Sequence, residues 1–162
     1  MIFITVGTHE QGMDRLFIEI DNLIEKGIIK DNVFAQIGYS KYEPKNFQYK
    51  KMISYDEMDD LVKGSDIIIT HGGPGSIFHP LQYGKIPIVV PRKPEFNEHV
   101  DNHQILFAKR LEKQKKIIPI YEIDNIKNII TNYSEITKNF DKHSNEIEKF
   151  IKKFEFLIKE YI

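Results

Sequence analysis

The sequence predicts an α/β domain with a doubly wound parallel sheet, and three observations lead to that fold class. Short β-branched runs alternate along the chain with segments in which apolar residues recur at helical spacing. The clearest run, Asp66–Thr70, shows no alternation of polar and apolar residues, as expected for a strand that is buried on both faces of a parallel sheet. The length of 162 residues suits one well-buried domain.

The first half of the chain contains three predicted strands and two predicted helices. The strands are Ile2–Val6, Val33–Ile37 and a weaker Tyr49–Ile53. A polar, aromatic loop, Gly38–Phe47, separates the second strand from the third. The first helix has apolar residues at helical spacing and ends near Gly27, with its inner face formed by Met13, Leu16, Phe17, Ile20, Leu23 and Ile24. The second helix is Asp56–Lys63.

The second half repeats this alternation. The predicted strands are Asp66–Thr70, Ile86–Val90 and Ile117–Ile120, and the predicted helices are Ser76–Tyr83 and about His99–Lys113. A loop, Arg92–Glu98, separates the last two of these elements, and Ile123–Ile130 forms a further apolar segment. We expect residues 1–135 to form the domain and residues 136–162 to form a C-terminal amphipathic helix.

Composition excludes several classes of function. A net charge of −1 offers no general attraction to nucleic acid, and no nucleic-acid partner is expected. The chain has no cysteine, which excludes disulfides and thiolate chemistry, and no metal-ligand spacing such as HExxH is present. Neither a metal nor a cofactor is expected. The apolar runs are too short to span a bilayer, and no secretory signal opens the chain, so we expect a cytoplasmic protein without direct membrane insertion.

Two glycine-containing loops follow predicted strands, at the edge of the sheet where ligands bind in this fold class. The first is Gly7-Thr8-His9, and the second contains His71, Gly72, Gly73, Pro74, Gly75 and Ser76. Glycine lets an anion approach backbone amides and the positive end of the following helix. The second loop is neither a Walker loop nor GxGxxG, so these loops alone are also compatible with simple turns.

A third loop adds a strongly polar segment. Seven of the nine residues from Phe96 to Gln104 are polar, more than helix capping requires. If this segment begins a helix, Asp101 and Gln104 share one helical face. A carboxylate and an amide together suit sugar hydroxyls, which both donate and accept hydrogen bonds. Three such loops at one edge of the sheet predict a binding site.

The motifs HGGPGS, GKIPIVVP and EHVDNHQ, in that order, together with the opening FITVGTHEQGMDRL, resemble the C-terminal domain of glycosyltransferase family 28. The resemblance covers about residues 1–111. It implies a Rossmann-like domain that forms the donor-binding half of a GT-B fold. The motifs also resemble the small catalytic subunits of split glycosyltransferases, both the bacterial capsule and exopolysaccharide enzymes and the eukaryotic dolichol-linked N-acetylglucosaminyltransferase. In these enzymes a separate membrane-associated polypeptide binds the acceptor.

Carried onto this sequence, the resemblance implies a UDP-sugar site without a metal. The diphosphate is expected at Gly7, Thr8, His71, Gly72, Gly73, Gly75 and Ser76. The charge of Arg92 is expected to stabilise the leaving diphosphate, and His99 is a further expected site residue through its place in the motif. The donor sugar is expected at Asp101, Asn102 and Gln104, and the uracil at Ser54 and Tyr55. Relatives often carry a ribose-binding glutamate where this chain has His79, which makes His79 the expected ribose contact.

The resemblance further implies an inverting hexosyltransferase that acts with a membrane-associated acceptor subunit on a lipid-linked saccharide, in capsule or exopolysaccharide assembly. The membrane-associated subunit is expected to recruit the chain to the inner face of the membrane. Galactose, glucose, glucuronic acid and N-acetylglucosamine all remain open as donors. His9 and His71 are the candidate catalytic residues. Imidazole titrates near neutrality, so His9 could serve as a general base, but its position also suits a contact with phosphate or with a neighbouring loop. The base that deprotonates the acceptor is expected on the partner. The alternative is a non-catalytic enhancer or nucleotide-sugar-binding subunit.

The C-terminal segment carries an apolar stripe at helical spacing flanked by lysines. Three interpretations remain open at this point. The stripe packs on the chain's own sheet, or it docks the partner subunit, or the flanking lysines lie near an anionic bilayer. Its members are Ile147, Phe150, Ile151, Phe154, Leu157, Ile158 and Tyr161.

Overall fold

A parallel sheet of six strands forms the centre of the molecule in a computed structural model, which describes residues 1–142, 148–150 and 152–156. The strands are β1 (Ile2–Thr5), β2 (Val33–Gln36), β3 (Gln48–Lys50), β4 (Ile67–His71), β5 (Ile88–Val90) and β6 (Ile118–Pro119). Their order in the sheet is β3-β2-β1-β4-β5-β6, and each neighbouring pair is parallel. This is the Rossmann strand order, and it confirms the predicted fold class.

Helices connect the strands. They are α1 (Asp14–Glu25), α2 (Tyr55–Gly64), α3 (Pro74–Gln82), α4 (His103–Lys113), α5 (Ile126–Thr131) and α6 (Tyr133–Thr137). Single 3₁₀ turns occur at Pro94–Phe96 and Ile123–Asn125, so the predicted segment Ile123–Ile130 is divided between a 3₁₀ turn and α5. Among the described residues, no helix is both long and apolar enough to cross a bilayer.

Both faces of the sheet are covered, as a doubly wound fold requires. Successive residues of β1 point to opposite faces. Ile2 and Ile4 belong to the main core, which also contains Phe17 of α1. Phe3 lies in a separate apolar cluster with Val62 of α2.

The strand order reverses between β1 and β4, the two central strands. Thr5 at the end of β1 pairs with Thr70 near the end of β4, so the loops that follow them lie side by side. In an open parallel sheet the crevice at this reversal is where ligands bind. The fold therefore brings the two glycine-containing loops to one place.

The start of α4 corrects a prediction. The helix begins at His103 and not near His99, and Asn97 before it has a left-handed backbone with a φ of 56°. The Asp101 carboxylate accepts the His103 amide at 3.0 Å, a local bond that competes with helix formation. Asp101 and Gln104 consequently do not share a helical face.

Phe150 and Phe154, in the C-terminal segment, pack on the domain itself. Residues 148–150 and 152–156 are helical, Phe154 is fully buried in the main core, and Phe156 is exposed. The boundary expected after residue 135 falls inside α6, whose Thr137 is buried. The remaining members of the predicted stripe lie outside the described residues; they are Ile147, Ile151, Leu157, Ile158 and Tyr161.

Candidate functional site

A cleft of about 550 Å³ opens at the carboxyl end of the sheet, at the reversal of strand order. Its walls come from the β1–α1 loop, the β3–α2 connection and the β4–α3 loop. The lining residues are Gly7, Thr8, His9, Gln36, Ile53, Ser54, Tyr55, Met58, His71, Gly73, Pro74, Gly75 and Ser76. Most of the residues expected to contact the nucleotide thus lie together.

Gly7 and Gly73 leave room for the ring of His71. A Cβ atom at Gly7 would stand 2.6 Å from Nε2 of His71, and the Gly7 backbone also has a φ of +70° that disfavours side chains. A Cβ at Gly73 would overlap the same ring. Gly75, by contrast, has open space at its Cβ position. The first two glycines are therefore required by packing, and Gly75 is free of that constraint.

Gln104 connects the β4–α3 loop to the end of β5. Its Oε1 accepts the backbone amides of Gly72 and Arg92, each at 3.0 Å. Because both partners are donors, the amide orientation is determined, and Nε2 is directed to Nδ1 of His71 at 3.2 Å. Gln104 is buried behind the loop, where it holds the loop in position.

The same contacts determine the tautomer of His71. Its Nδ1 also faces the Gly73 amide at 3.2 Å, so Nδ1 is the acceptor and Nε2 carries the proton. Nε2 then donates to Oγ of Ser76 at 3.1 Å. The Ser76 hydroxyl keeps its own proton for another acceptor, at the edge of the cleft.

Burial, with a smaller contribution from the positive charge of Arg92, lowers the pKa of His71 to about 3. The ring is 8% exposed and is neutral at physiological pH. His71 therefore supplies no positive charge to a bound anion. It orients Ser76 and supports the glycine loop.

The N-terminus of α3 forms the floor of the cleft. Gly73 precedes the helix, Pro74 occupies its first position, and Ser76 lies in the first turn. The amides of this turn have no partner within the helix and carry partial positive charge. Together with the Ser76 hydroxyl, they suit an anion such as a phosphate group.

Arg92 does not face the cleft, which corrects its expected contact with the diphosphate. Its side chain is fully buried, and its guanidinium donates to the carbonyls of Val6, Gln11 and Glu98. Burial lowers the pKa of Arg92 to about 10, so the group stays charged at neutral pH. It joins the end of β1 to the loop before α4.

Two histidines join the first and third loops. The rings of His9 and His99 are stacked, with centroids 4.8 Å apart and an interplanar angle of 15°. Nδ1 of His99 lies 3.2 Å from Oδ1 of Asp101, and His103 approaches the other oxygen at 3.4 Å. Asn102 stands at the N-cap of α4 without a side-chain capping bond. Of these residues, His9 lines the cleft, and the others lie at the start of α4 and in the loop before it.

His79 lies on α3 beside α2, next to the cleft and not within its lining. Its Nε2 is 2.7 Å from Oδ1 of Asp59, and its ring is parallel to that of Tyr55 at 5.7 Å between centroids. Hydrogen bonds from Lys63, Tyr83 and His79 hold the pKa of Asp59 well below its usual value. The Asp59 carboxylate therefore lies beside His79, at the position where relatives often carry a glutamate.

The sequence analysis missed Gln36 and Ile53 as part of the site. Gln36 is the last residue of β2, and Ile53 precedes the N-cap of α2. The one signal for Gln36 in the sequence is a polar residue near the end of a predicted strand. Its position in the cleft follows only from the order of the strands, which places β2 beside β1. Among the described residues, no group of three or more His, Cys, Asp or Glu side chains is placed to hold a metal ion.

Comparisons with known proteins agree with this geometry. The chain is 26% identical over 133 residues to UDP-N-acetylglucosamine--N-acetylmuramyl-(pentapeptide) pyrophosphoryl-undecaprenol N-acetylglucosamine transferase 2 of Bacillus cereus, a match that covers 82% of this chain and 34% of that protein. It is 31% identical over 93 residues to the UDP-N-acetylglucosamine transferase subunit ALG13 of Kluyveromyces lactis, covering 57% of this chain and 41% of that one. The chain thus spans well under half the length of these relatives.

A structural comparison shows the same fold. The glycotransferase of kitacinnamycin superposes with a TM-score of 0.63 at 16% identity, over 94% of this chain and 38% of that one. Residues 1–161 match the family description "Glycosyltransferase family 28 C-terminal domain". With the Rossmann strand order and the cleft at its reversal, this match shows that the chain belongs to the glycosyltransferase family 28 C-terminal domain family.

Proposed function

We propose that this chain is the UDP-sugar-binding catalytic subunit of a two-component, inverting glycosyltransferase. The observation that carries the proposal is the convergence of the two glycine loops and the α3 N-terminus on one cleft, opposite Ser54 and Tyr55. That arrangement offers an anion site on one wall and a flat, partly apolar surface on the other. A nucleoside diphosphate has the complementary chemistry.

In the proposed reaction, an acceptor hydroxyl attacks the anomeric carbon of the donor sugar from the face opposite the leaving group. The bond from that carbon to the diphosphate oxygen breaks, and UDP departs with the electron pair, so the configuration is inverted. The helix amides and the Ser76 hydroxyl stabilise the charge that develops on the diphosphate. A base on the partner subunit takes the proton of the acceptor, and the donor is a hexose.

The proposed partner is a membrane-associated subunit that presents a lipid-linked saccharide. Support comes from two relatives: one is named as a transferase subunit, and the other is named for an undecaprenol-linked acceptor. We place the reaction in capsule or exopolysaccharide assembly, on the resemblance of the motifs to the small subunits of split bacterial enzymes, and at the cytoplasmic face of the membrane.

Titration with UDP, followed by calorimetry, tests the donor site. The Ser76→Ala variant is expected to bind UDP about tenfold more weakly, because it loses a hydrogen bond to a charged group. Ser134→Ala, which removes an exposed hydroxyl on α6, is the matched control and should bind as the wild type does. Absence of binding at millimolar UDP would reject the donor site.

Sugar transfer by the chain together with its partner separates an enzyme from a non-catalytic enhancer. The chain is co-expressed with the membrane-associated subunit, and transfer from UDP-sugars to a lipid-linked acceptor is measured. Asp101→Ala is expected to abolish transfer while leaving the complex intact, because the proposed sugar contact is lost. Unchanged transfer by that variant would count against the proposed sugar site and leave the enhancer as the alternative.

A further inference from the structure

Gln36 lines the cleft and carries a hydrogen-bond donor that has only a weak partner. The residue is 2% exposed, ends β2, and lies in the cleft lining between Gly7 and the β3–α2 connection. Its Oε1 is 2.6 Å from the Thr5 hydroxyl oxygen. In the described part of the chain, the one acceptor recorded for its Nε2 is the sulfur of Met52, at 3.8 Å.

The orientation of the Gln36 amide follows from its neighbour. The Thr5 hydroxyl accepts the Gly7 amide at 3.3 Å, which leaves its own proton to donate. The 2.6 Å separation is typical of an O–H···O bond and shorter than N–H···O bonds usually are. Oε1 of Gln36 therefore faces Thr5, and the NH₂ group is available to the cleft. Thioether sulfur is a weak acceptor, so this buried donor lacks a strong partner.

The position of Gln36 indicates which part of a nucleotide it meets. The anion site is formed by the loops after β1 and β4, and β2 lies on the other side of β1, next to β3. The cleft wall on that side is formed by Ile53, Tyr55 and Met58, which offer apolar and aromatic surface to a flat ring. A neutral amide donor next to such a surface matches the carbonyl oxygen of a nucleobase.

We propose that Gln36 recognises the pyrimidine base of the donor nucleotide, donating from Nε2 to a carbonyl oxygen of the ring. Thr5 is its positioning residue, because the hydroxyl of Thr5 holds the amide with its NH₂ group toward the base. This inference rests on the proposed function, since it assumes a UDP-type ligand in the cleft. It assigns base recognition to strand β2, outside the glycine loops.

Calorimetric titration with UDP and with inorganic diphosphate tests the proposal. Gln36→Met keeps a similar side-chain volume and removes the donor. We expect this variant to bind UDP about tenfold more weakly and inorganic diphosphate as the wild type does. Thr5→Val, which frees the amide to rotate, should weaken UDP binding by a smaller factor than Gln36→Met. Because this variant also removes the acceptor of the Gly7 amide, its readout is the ratio of UDP affinity to diphosphate affinity, which should fall.

The double variant Thr5→Val/Gln36→Met controls for folding, because it removes both members of the buried pair and leaves no orphaned hydroxyl. It should unfold close to the wild-type midpoint and show the same selective loss for UDP. In nitrogen-15 spectra of the wild type, the Gln36 side-chain NH₂ signals should shift with UDP and stay in place with inorganic diphosphate.

Equal losses for the two ligands, or unchanged UDP binding by the folded double variant, would overturn the assignment of Gln36. If the wild-type protein binds inorganic diphosphate as tightly as UDP, the assignment of Gln36 to base recognition is also overturned, whereas the proposed anion site is retained. A wild-type protein that binds neither ligand rejects the proposed function itself. The two failures are therefore distinguishable.

Discussion

Phe154 provides a quantitative test of how the C-terminal segment is held. Its side chain is 0% exposed, and its ring lies 5.3 Å from Phe78, 5.3 Å from Phe107 and 5.6 Å from Phe150, measured between centroids. Replacing such a phenylalanine by alanine removes buried apolar surface and leaves a cavity. We expect Phe154→Ala to lower the free energy of unfolding by about 3–5 kcal/mol, measured by urea denaturation of the isolated chain.

Phe156 is the matched control, because it is the same residue type in the same segment and is 71% exposed. Phe156→Ala should change the free energy of unfolding by no more than about 0.5 kcal/mol. Equal, small effects of the two substitutions would show that the segment does not pack on the domain in solution. The interpretation of the stripe as a free docking surface would then regain support.

Three further predictions concern the site. Because the pKa of His71 is lowered to about 3 from its ordinary 6.5, the unfolded chain binds a proton that the native chain does not, and stability is lost as the pH falls through that window. His71→Gln should reduce this acid sensitivity of urea unfolding by up to about 1.4 kcal/mol per pH unit, and an unchanged slope would contradict a neutral, buried ring. Gly73→Ala should destabilise the fold and weaken UDP binding, because the added methyl group overlaps the His71 ring. Gly75→Ala, which meets open space, should raise the free energy of unfolding by up to about 1 kcal/mol. Equal effects of the two substitutions on thermal unfolding would refute the packing argument. Arg92→Met should lower the free energy of unfolding in urea by at least about 3 kcal/mol, because the buried carbonyls of Val6 and Glu98 lose their donor. A loss below about 1 kcal/mol would show that Arg92 does not hold these loops together.

The sequence pattern predicted β1, β2, β4 and β5 well, because buried parallel strands are continuous apolar runs that local composition reveals. The polar edge strand β3, Gln48–Lys50, ends three residues before the predicted limit at Ile53. The pattern failed at the start of α4, where a side-chain bond from Asp101 to the His103 amide replaces the first helical turn. It also placed Arg92 near the diphosphate, because Arg92 follows a predicted strand at the edge of the sheet where ligands bind. Only the assembled fold shows that carbonyls from distant loops converge on this guanidinium.

The role of Gln36 depends on strand order and register, which a single sequence does not contain. Gln36 pairs directly with Thr5 across the sheet, and that pairing brings the amide to the hydroxyl. The two residues are far apart in the chain, and neither belongs to a glycine motif. The glycine loops, in contrast, were predictable because each carries its own local signal, a strand followed by small residues.

Gln104 has a consequence for protein engineering. Its one amide group links the Gly72 amide after β4 to the Arg92 amide after β5 and also supports His71. Replacing either loop with the corresponding loop of a relative would disrupt these three hydrogen bonds of Gln104 unless the start of α4 is transferred with it. Chimeras that aim to change the proposed donor specificity should therefore exchange the β4–α3 loop, the end of β5 and the first turn of α4 together.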